Sequence, residues 1–102
     1  MSNEKFREVI DGVFGIVRGI PHPHIQISYN FDEGFGFKRW AEIYQPASDT
    51  LLLLSETSEG DYILQENLDN GDIIYHQDQV SFRKCFNAMK KILGYENNKR
   101  LK

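Results

Sequence analysis

The stretch YILQENLDNGDIIYHQ, residues 62–77, contains the pattern that decides the fold. Two runs rich in strand-forming residues stand on either side of an Asn70-Gly71 pair. Asn and Gly adopt the positive φ angles that a two-residue hairpin turn needs, so this pair is a strong hairpin signal. The pattern predicts antiparallel strands at residues 62–67 and 73–77, joined by a tight turn.

Three further strands are predicted before this hairpin. Extended runs occupy residues 35–44 and 50–56, and a segment containing Pro46 separates them. In residues 25–31 the side chains alternate between apolar and polar, as in a strand with one buried face. The apolar members of that alternation are Ile25, Ile27, Tyr29 and Phe31.

A helix is predicted near each end of the chain. Apolar residues recur at three- and four-residue spacing over residues 4–18 and 80–93, which is the period of a helix with one apolar face. Asp78 is the predicted N-cap of the second helix, and Gly94 is its predicted end. The apolar stripe of the second helix comprises Phe82, Cys85, Phe86, Met89, Ile92 and Leu93.

These elements predict a single α+β domain over residues 1–94, in the order α-β-β-β-β-β-α, with a basic, flexible tail at residues 95–102. An antiparallel meander can accept both helices on one face, which buries both apolar stripes. This order resembles the layout of frataxin-like domains. The resemblance covers element order alone, because the acids of the first helix are interspersed with bases and do not form the acidic ridge that this family uses for iron.

Composition limits the classes of protein to which the chain can belong. With 102 residues, of which 40% are apolar and 26% charged, the chain is long enough for one globular domain. No apolar run approaches the roughly 20 residues of a membrane span, and the first residues lack the apolar core of a signal peptide. The single Cys85 cannot form an internal disulfide and fits a reducing compartment, so we expect a cytoplasmic location.

Charge is distributed unevenly, although the net charge is only −3. Residues 81–102 contain seven basic residues and one acid, Glu96. Residues 40–80 contain no lysine or arginine but nine acids: Glu42, Asp49, Glu56, Glu59, Asp61, Glu66, Asp69, Asp72 and Asp78. An acidic middle segment beside a basic end indicates either self-complementary charge within the fold or two surfaces for different partners.

The sequence contains no residue pattern typical of an enzyme. It has no phosphate-binding glycine loop, no nucleophile elbow and no paired cysteine motif. His22 and His24 stand two residues apart and can share a zinc ion, but solvent-facing histidines beside prolines are the other interpretation. Cys85 lies on an apolar stripe and is expected to be a core residue. We therefore predict a protein without catalytic residues, metal or cofactor.

The segment from Gly34 to Arg39, with the sequence GFGFKR, is similar to the aromatic strand of cold-shock domains. That similarity implies outward-facing rings that stack on single-stranded nucleic acid. Strand parity favours a different interpretation. Phe35 and Phe37 share a face with Ala41 and Ile43, which match the apolar face of the preceding strand, so both rings are expected in the core. Arg39 fits that face badly and is expected at the sheet rim or at a bulge.

The opposite face of the sheet carries more apolar residues than a solvent-exposed face should. Trp40 and Tyr44 point away from the core set, and the leucines at 51–54 make that strand apolar on both faces. An apolar centre with a polar border is typical of a protein interface. We predict a contact surface formed by Lys38, Trp40, Glu42, Tyr44, Leu51, Leu53 and Glu56.

These features favour a small non-catalytic protein-binding module, such as an inhibitor, an immunity-type protein or a regulatory protein, whose partner is a basic protein. A homodimer formed through the same face is a second option, and a loop or the C-terminal tail covering the face is a third. The alternative function is single-stranded nucleic-acid binding by Gly34 to Trp40 together with the basic last helix. No membrane partner is expected.

Overall fold

The order of elements along the chain confirms the predicted α+β fold. The computed structural model describes residues 1–14 and 25–95, and the backbone alone of residues 16–17 and 20–21. Its elements are α1 (Asn3–Phe14), β1 (Ile16–Val17), β2 (Ile20–Pro21), β3 (Gln26–Asn30), β4 (Phe37–Gln45), a 3-10 turn (Pro46–Ser48), β5 (Thr50–Thr57), β6 (Tyr62–Asn67), β7 (Ile73–Val80) and α2 (Phe82–Leu93). They form one compact domain with a radius of gyration of 13.4 Å.

The five long strands, β3 to β7, form one antiparallel sheet in which each strand pairs with its neighbours in sequence. The predicted hairpin between β6 and β7 is present, because the Leu68 amide donates to the Asp72 carbonyl over 2.9 Å. Gly71 has a φ of 94°, a conformation that glycine adopts without steric cost. Asn70 Oδ1 accepts a 3.0 Å hydrogen bond from the Asp72 amide, which fixes the turn from within.

Both helices pack on the same face of this sheet and bury the hydrophobic core against it. The aromatic ring of Phe6 lies near the centre, with its centroid 6.2 Å from that of Tyr29 and 6.3 Å from that of Phe82. Edge-to-face geometry of this kind adds to the stabilisation from burial. The buried residues of this core are Phe6, Ile10 and Phe14 from α1, Cys85, Met89 and Leu93 from α2, Ala41, Ile43, Leu52, Leu54, Tyr62 and Leu64 from the sheet, and Ile25 just before β3.

The first helix is shorter than the sequence predicted. It ends at Phe14 rather than at residue 18, and the backbone of Ile16 and Val17 pairs with that of residues 20–21 in a short antiparallel ladder. β-Branched residues are favoured in strands, so their helical spacing gave a misleading signal here. His22 and His24, on which the zinc hypothesis depends, lie outside the described residues.

The second helix begins three residues after its predicted cap. Asp78 lies inside β7, and the N-cap is Ser81, whose Oγ accepts a 3.3 Å hydrogen bond from the Lys84 amide. The predicted end is confirmed: Gly94 has a φ of 84° and closes the helix with hydrogen bonds to its last turn. The predicted tail is described only at Tyr95, so its remainder, residues 96–102, lies outside the described residues.

Candidate functional site

The sheet face turned away from both helices carries five of the seven predicted contact residues. Trp40, Glu42 and Tyr44 come from β4, and Leu51 and Leu53 come from β5. The strand register brings them together, because Glu42 pairs with Leu53 and Tyr44 with Leu51. Glu42 is exposed and the other four are only partly buried, so all five are accessible.

The same face continues across β6 and β7, where it carries further residues that were not assigned to it from the sequence. We call the whole surface the open face; it comprises the five residues above together with Ile63, Gln65, Asn67, Ile73 and Tyr75. Ile73 is 46% exposed and Tyr75 is 59% exposed. The hairpin turn was the signal that could have found Ile73 and Tyr75, since pairing outward from the turn assigns both to a face before the register shifts between Leu64 and Gln65.

A β-bulge near the start of β4 changes the direction of Phe37. Phe37 pairs with Thr57, and Arg39 pairs with the next residue, Glu56, so Lys38 is an extra residue without a partner on β5. The bulge reverses the alternation of side chains, and Phe37 borders a cavity on the open face. The prediction that Phe37 belongs to the core is therefore wrong, because parity does not persist across a bulge.

Phe35 lies in the tight turn that leads into β4. Gly34 and Phe37 close this turn with two reciprocal backbone hydrogen bonds of 3.1 and 2.9 Å. Phe35 has a φ of 55° and is 92% exposed, so its predicted core position is also wrong. Its ring meets that of Trp40 at a centroid distance of 6.1 Å and an angle of 61°. Parity failed because the residue belongs to a turn and not to an extended strand.

Turn and bulge together build a cavity of about 300 Å³ at one corner of the open face. Its apolar walls are Phe35, Phe37, Trp40 and Leu53. Glu42, Ser55 and Gln65 supply the polar part of the lining. We call this the corner cavity. A mostly apolar depression with a few polar groups at its edge is the usual form of a binding site.

Glu56, predicted at the border of the open face, lies on the opposite side of the sheet. It is 5% exposed, forms an ion pair with Arg39, and accepts a 3.0 Å hydrogen bond from the Tyr62 hydroxyl. Arg39 Nε also donates to Asn3 Oδ1 over 2.7 Å. Burial and the neighbouring Glu56 raise the pKa of Tyr62 above its ordinary value. This network satisfies buried charges and leaves neither Glu56 nor Arg39 available to a partner.

Charged groups near the open face are mainly acidic. Lys38, the predicted basic contact, lines a neighbouring cavity together with Glu33, at the edge of the contact surface. At the other end of β4, the Tyr44 hydroxyl donates to Asp49 over 2.8 Å. A hydrogen bond between the side chains of Asp49 and Asp69 lowers the pKa of Asp49 and raises the pKa of Asp69.

The acidic middle segment does not collect on one surface. The Glu66 carboxylate accepts a 2.9 Å hydrogen bond from His76 Nε2 near the edge of the sheet, and Glu59 and Asp72 occupy exposed turns. Glu42 is the acid that points from the centre of the open face. Only part of the predicted acidic surface therefore coincides with the apolar one.

Burial decides the reactivity of Cys85, the one cysteine in the chain. Cys85 is fully buried, and burial raises the pKa of its thiol to about 11, which keeps it protonated and unreactive at neutral pH. Within residues 1–14 and 25–95, no group of three or more histidine, cysteine or acidic side chains could hold a metal ion.

Comparison with protein-family models, with curated proteins and with solved structures gave no match. Neither helix described here has the length and apolar character needed to cross a membrane.

Proposed function

We propose that the protein is a small non-catalytic binding module that recognises another protein through the open face. One observation carries this proposal: Trp40, Tyr44, Leu51 and Leu53 place large apolar side chains together on the side of the sheet opposite both helices. In an antiparallel sheet with one covered face, the other face is normally polar. An apolar surface of this kind is a recognised mark of an interaction site.

The composition of the open face supports a protein partner. Tryptophan and tyrosine are enriched among the residues that dominate interface energetics. Polar residues stand among them, with Glu42 and Gln65 near the corner cavity and Asn67 beside Leu51. An apolar centre interrupted by hydrogen-bonding groups gives a partner both burial and orientation.

The charge near the open face supports a basic partner. Glu42 is exposed on the face itself, and Asp49 and Asp69 stand beside Tyr44 at one end. An acidic border of this kind steers a basic protein toward the surface. An inhibitor, an immunity-type protein or a regulatory protein would combine these properties, and the reduced Cys85 fits action in the cytoplasm.

A comparative capture experiment tests the proposal. Wild-type protein, Trp40→Ala, Leu53→Ser and the control Asn87→Ser, which changes an exposed residue of α2, are immobilised and exposed to extract from the source cells. We expect a protein that the wild type and the control capture and that both open-face variants lose. With that protein purified, Trp40→Ala should weaken binding at least 30-fold, equivalent to about 2 kcal/mol. Equal capture by all four proteins would refute the proposal.

Self-association is tested in parallel by sedimentation over a range of concentrations. If the wild type dimerises and Trp40→Ala does not, the partner is a second copy of the chain, and the open face remains the binding surface. If dimerisation persists in Trp40→Ala and Leu53→Ser, the open face does not form the dimer.

Single-stranded nucleic acid is the second candidate, and one observation favours it. Phe35, Phe37 and Trp40 expose rings at one corner of the sheet, as a stacking platform requires. A phosphate backbone also needs cations along its path, whereas Arg39 is held by Glu56 and the basic residues of α2 lie on the helical layer. Tight binding to single-stranded RNA or DNA that weakens steeply with salt, and that Trp40→Ala abolishes, would replace the protein-binding proposal.

A further inference from the structure

The corner cavity has a composition that a purely apolar contact would not need. Three aromatic side chains, those of Phe35, Phe37 and Trp40, surround it, and the carboxylate of Glu42 stands at its edge. Glu42 follows Trp40 by two positions on the same face of β4, so the two side chains are neighbours. Glu42 is exposed and forms no hydrogen bond or ion pair with another described residue.

Aromatic rings attract cations through the negative potential of their faces, and tryptophan does so most strongly. The rings of Phe35 and Trp40 meet at 61°, so together they form a concave corner. A compact ammonium group fits such a corner, whereas a flat guanidinium stacks best on one broad ring face. Glu42 then supplies the opposite charge, and Ser55 and Gln65 supply further oxygen acceptors for N–H groups.

We infer that the corner cavity binds the side chain of a lysine presented by the partner protein. This inference rests on the proposed function and specifies its chemistry. The aliphatic part of the lysine would lie along Leu53 and Phe37, and its ammonium group would lie between Trp40 and Glu42. Lys38 lines the neighbouring cavity, where Glu33 can balance its charge.

A matched pair of peptides tests the inference. Acetyl-Gly-Lys-Gly-amide and the norleucine analogue share the same four-carbon side chain, and only the first carries the terminal ammonium group. Trp40 is the one tryptophan in the chain, so its fluorescence reports on the cavity directly. At low salt we expect the lysine peptide to bind at least 10-fold more tightly than the norleucine peptide, consistent with cation–π attraction and a nearby carboxylate.

Two variants and one control identify the groups responsible. Glu42→Gln should reduce the preference for lysine to less than 3-fold, and Phe37→Leu, which keeps an apolar wall but removes a ring, should reduce it in part. Glu8→Gln makes the same change of charge at an exposed position of α1 and should leave the preference intact. An arginine peptide should bind more weakly than the lysine peptide, and tighter binding of arginine would overturn the assignment to lysine.

Equal binding of the lysine and norleucine peptides, or an unchanged preference in Glu42→Gln, would overturn the inference. Neither result would affect the proposed function if capture of the partner still depended on Trp40, because an apolar cavity also serves a protein interface. The converse result is that the wild type binds lysine selectively while Trp40→Ala and Leu53→Ser capture the partner as well as the wild type does. That result would support lysine binding by the corner cavity and refute the proposed function.

Discussion

The two faces of the sheet are made from the same strands, but their apolar residues are buried to different extents. On β5, Leu52 and Leu54 are fully buried beneath the helices, whereas Leu51 and Leu53 remain partly exposed on the open face. Burial of a leucine contributes roughly 1.5–3 kcal/mol to stability, and an exposed leucine contributes much less. The apolar side chains of the open face therefore gain most of their stabilisation only when something else covers them.

The charged residues of the two faces differ in the same way. On the covered face the Arg39–Glu56 ion pair is completed by the Tyr62 hydroxyl, and Tyr29 donates a 2.6 Å hydrogen bond to Asp11. On the open face Glu42 is exposed and makes no such contact with the described residues. Satisfied polar groups are typical of a surface that serves the fold, and uncommitted ones of a surface that serves a partner.

Truncation of one aromatic ring on each face is the strongest test of this difference. Phe6→Ala should lower the free energy of unfolding by about 3–5 kcal/mol, because Phe6 is fully buried and its removal leaves a cavity. Tyr75→Ala, on the open face, should change it by less than about 0.5 kcal/mol. Urea unfolding measures both values. Similar losses for the two variants would show that the faces are not energetically distinct.

The buried ion pair gives the next largest effect. Arg39→Met should cost about 3 kcal/mol, because it leaves the Glu56 carboxylate buried without its counter-charge. Adding Glu56→Gln to this variant should recover at least about 1 kcal/mol, since a neutral amide oxygen can still accept from Tyr62. Denaturant unfolding of both variants checks this, and a further loss in the double variant would contradict the assigned role of the pair.

Burial on the covered face also predicts a pH dependence. Because the pKa of Cys85 is raised from 9.0 to about 11, the unfolded chain loses the thiol proton at a lower pH than the folded chain. The unfolded state then binds fewer protons between pH 9 and 11, so stability falls as pH rises through this window. The expected loss from this thiol between pH 8 and pH 10.5 is about 2 kcal/mol.

The variant Cys85→Ala isolates that contribution from those of the tyrosines, whose pKa values are also raised on this face. Its stability should fall less than that of the wild type over the same pH range, as measured by urea unfolding at each pH. Rapid labelling of Cys85 by a thiol reagent at pH 8 in the folded protein would instead place the thiol at an accessible position.

The fold could be predicted from the sequence because its signals are local and regular. The Asn70-Gly71 turn, the alternation in β3 and the apolar stripe of α2 each correspond to an element of the structure. The boundary of α1 could not be found in this way, since β-branched Ile16 and Val17 fit the helical period but pair as a strand. Periodicity identifies an element more reliably than it identifies its end.

The candidate site was predicted where the strands are regular and missed where they are not. Trp40, Glu42, Tyr44, Leu51 and Leu53 share a face because simple alternation holds between residues 39 and 57. The corner cavity depends on a turn at Phe35 and a bulge at Lys38, and each reverses the direction of the side chains that precede it. Glu56 was assigned to the open face on charge alone, whereas its even position beside Leu54 already placed it with the core set.

The smallest expected effect has the opposite sign and tests the corner itself. Phe35 holds a φ of 55°, which is unfavourable for a residue with a Cβ atom, and its ring is 92% exposed. Phe35→Gly should therefore leave stability unchanged or raise it by about 0.5–1 kcal/mol, because the strain is removed and little burial is lost. If Phe35 were a core residue, the same change would cost several kcal/mol. The sign of the change in the free energy of unfolding, measured in urea, therefore distinguishes an exposed Phe35 from a buried one.

The variant also lacks one wall of the corner cavity. Its preference for the lysine peptide over the norleucine peptide should therefore fall, although its fold is at least as stable. If Phe35 lowers stability but is needed for selectivity, it belongs to the binding surface. If Phe35→Gly destabilises the protein by more than about 1 kcal/mol, Phe35 instead contributes to the stability of the fold.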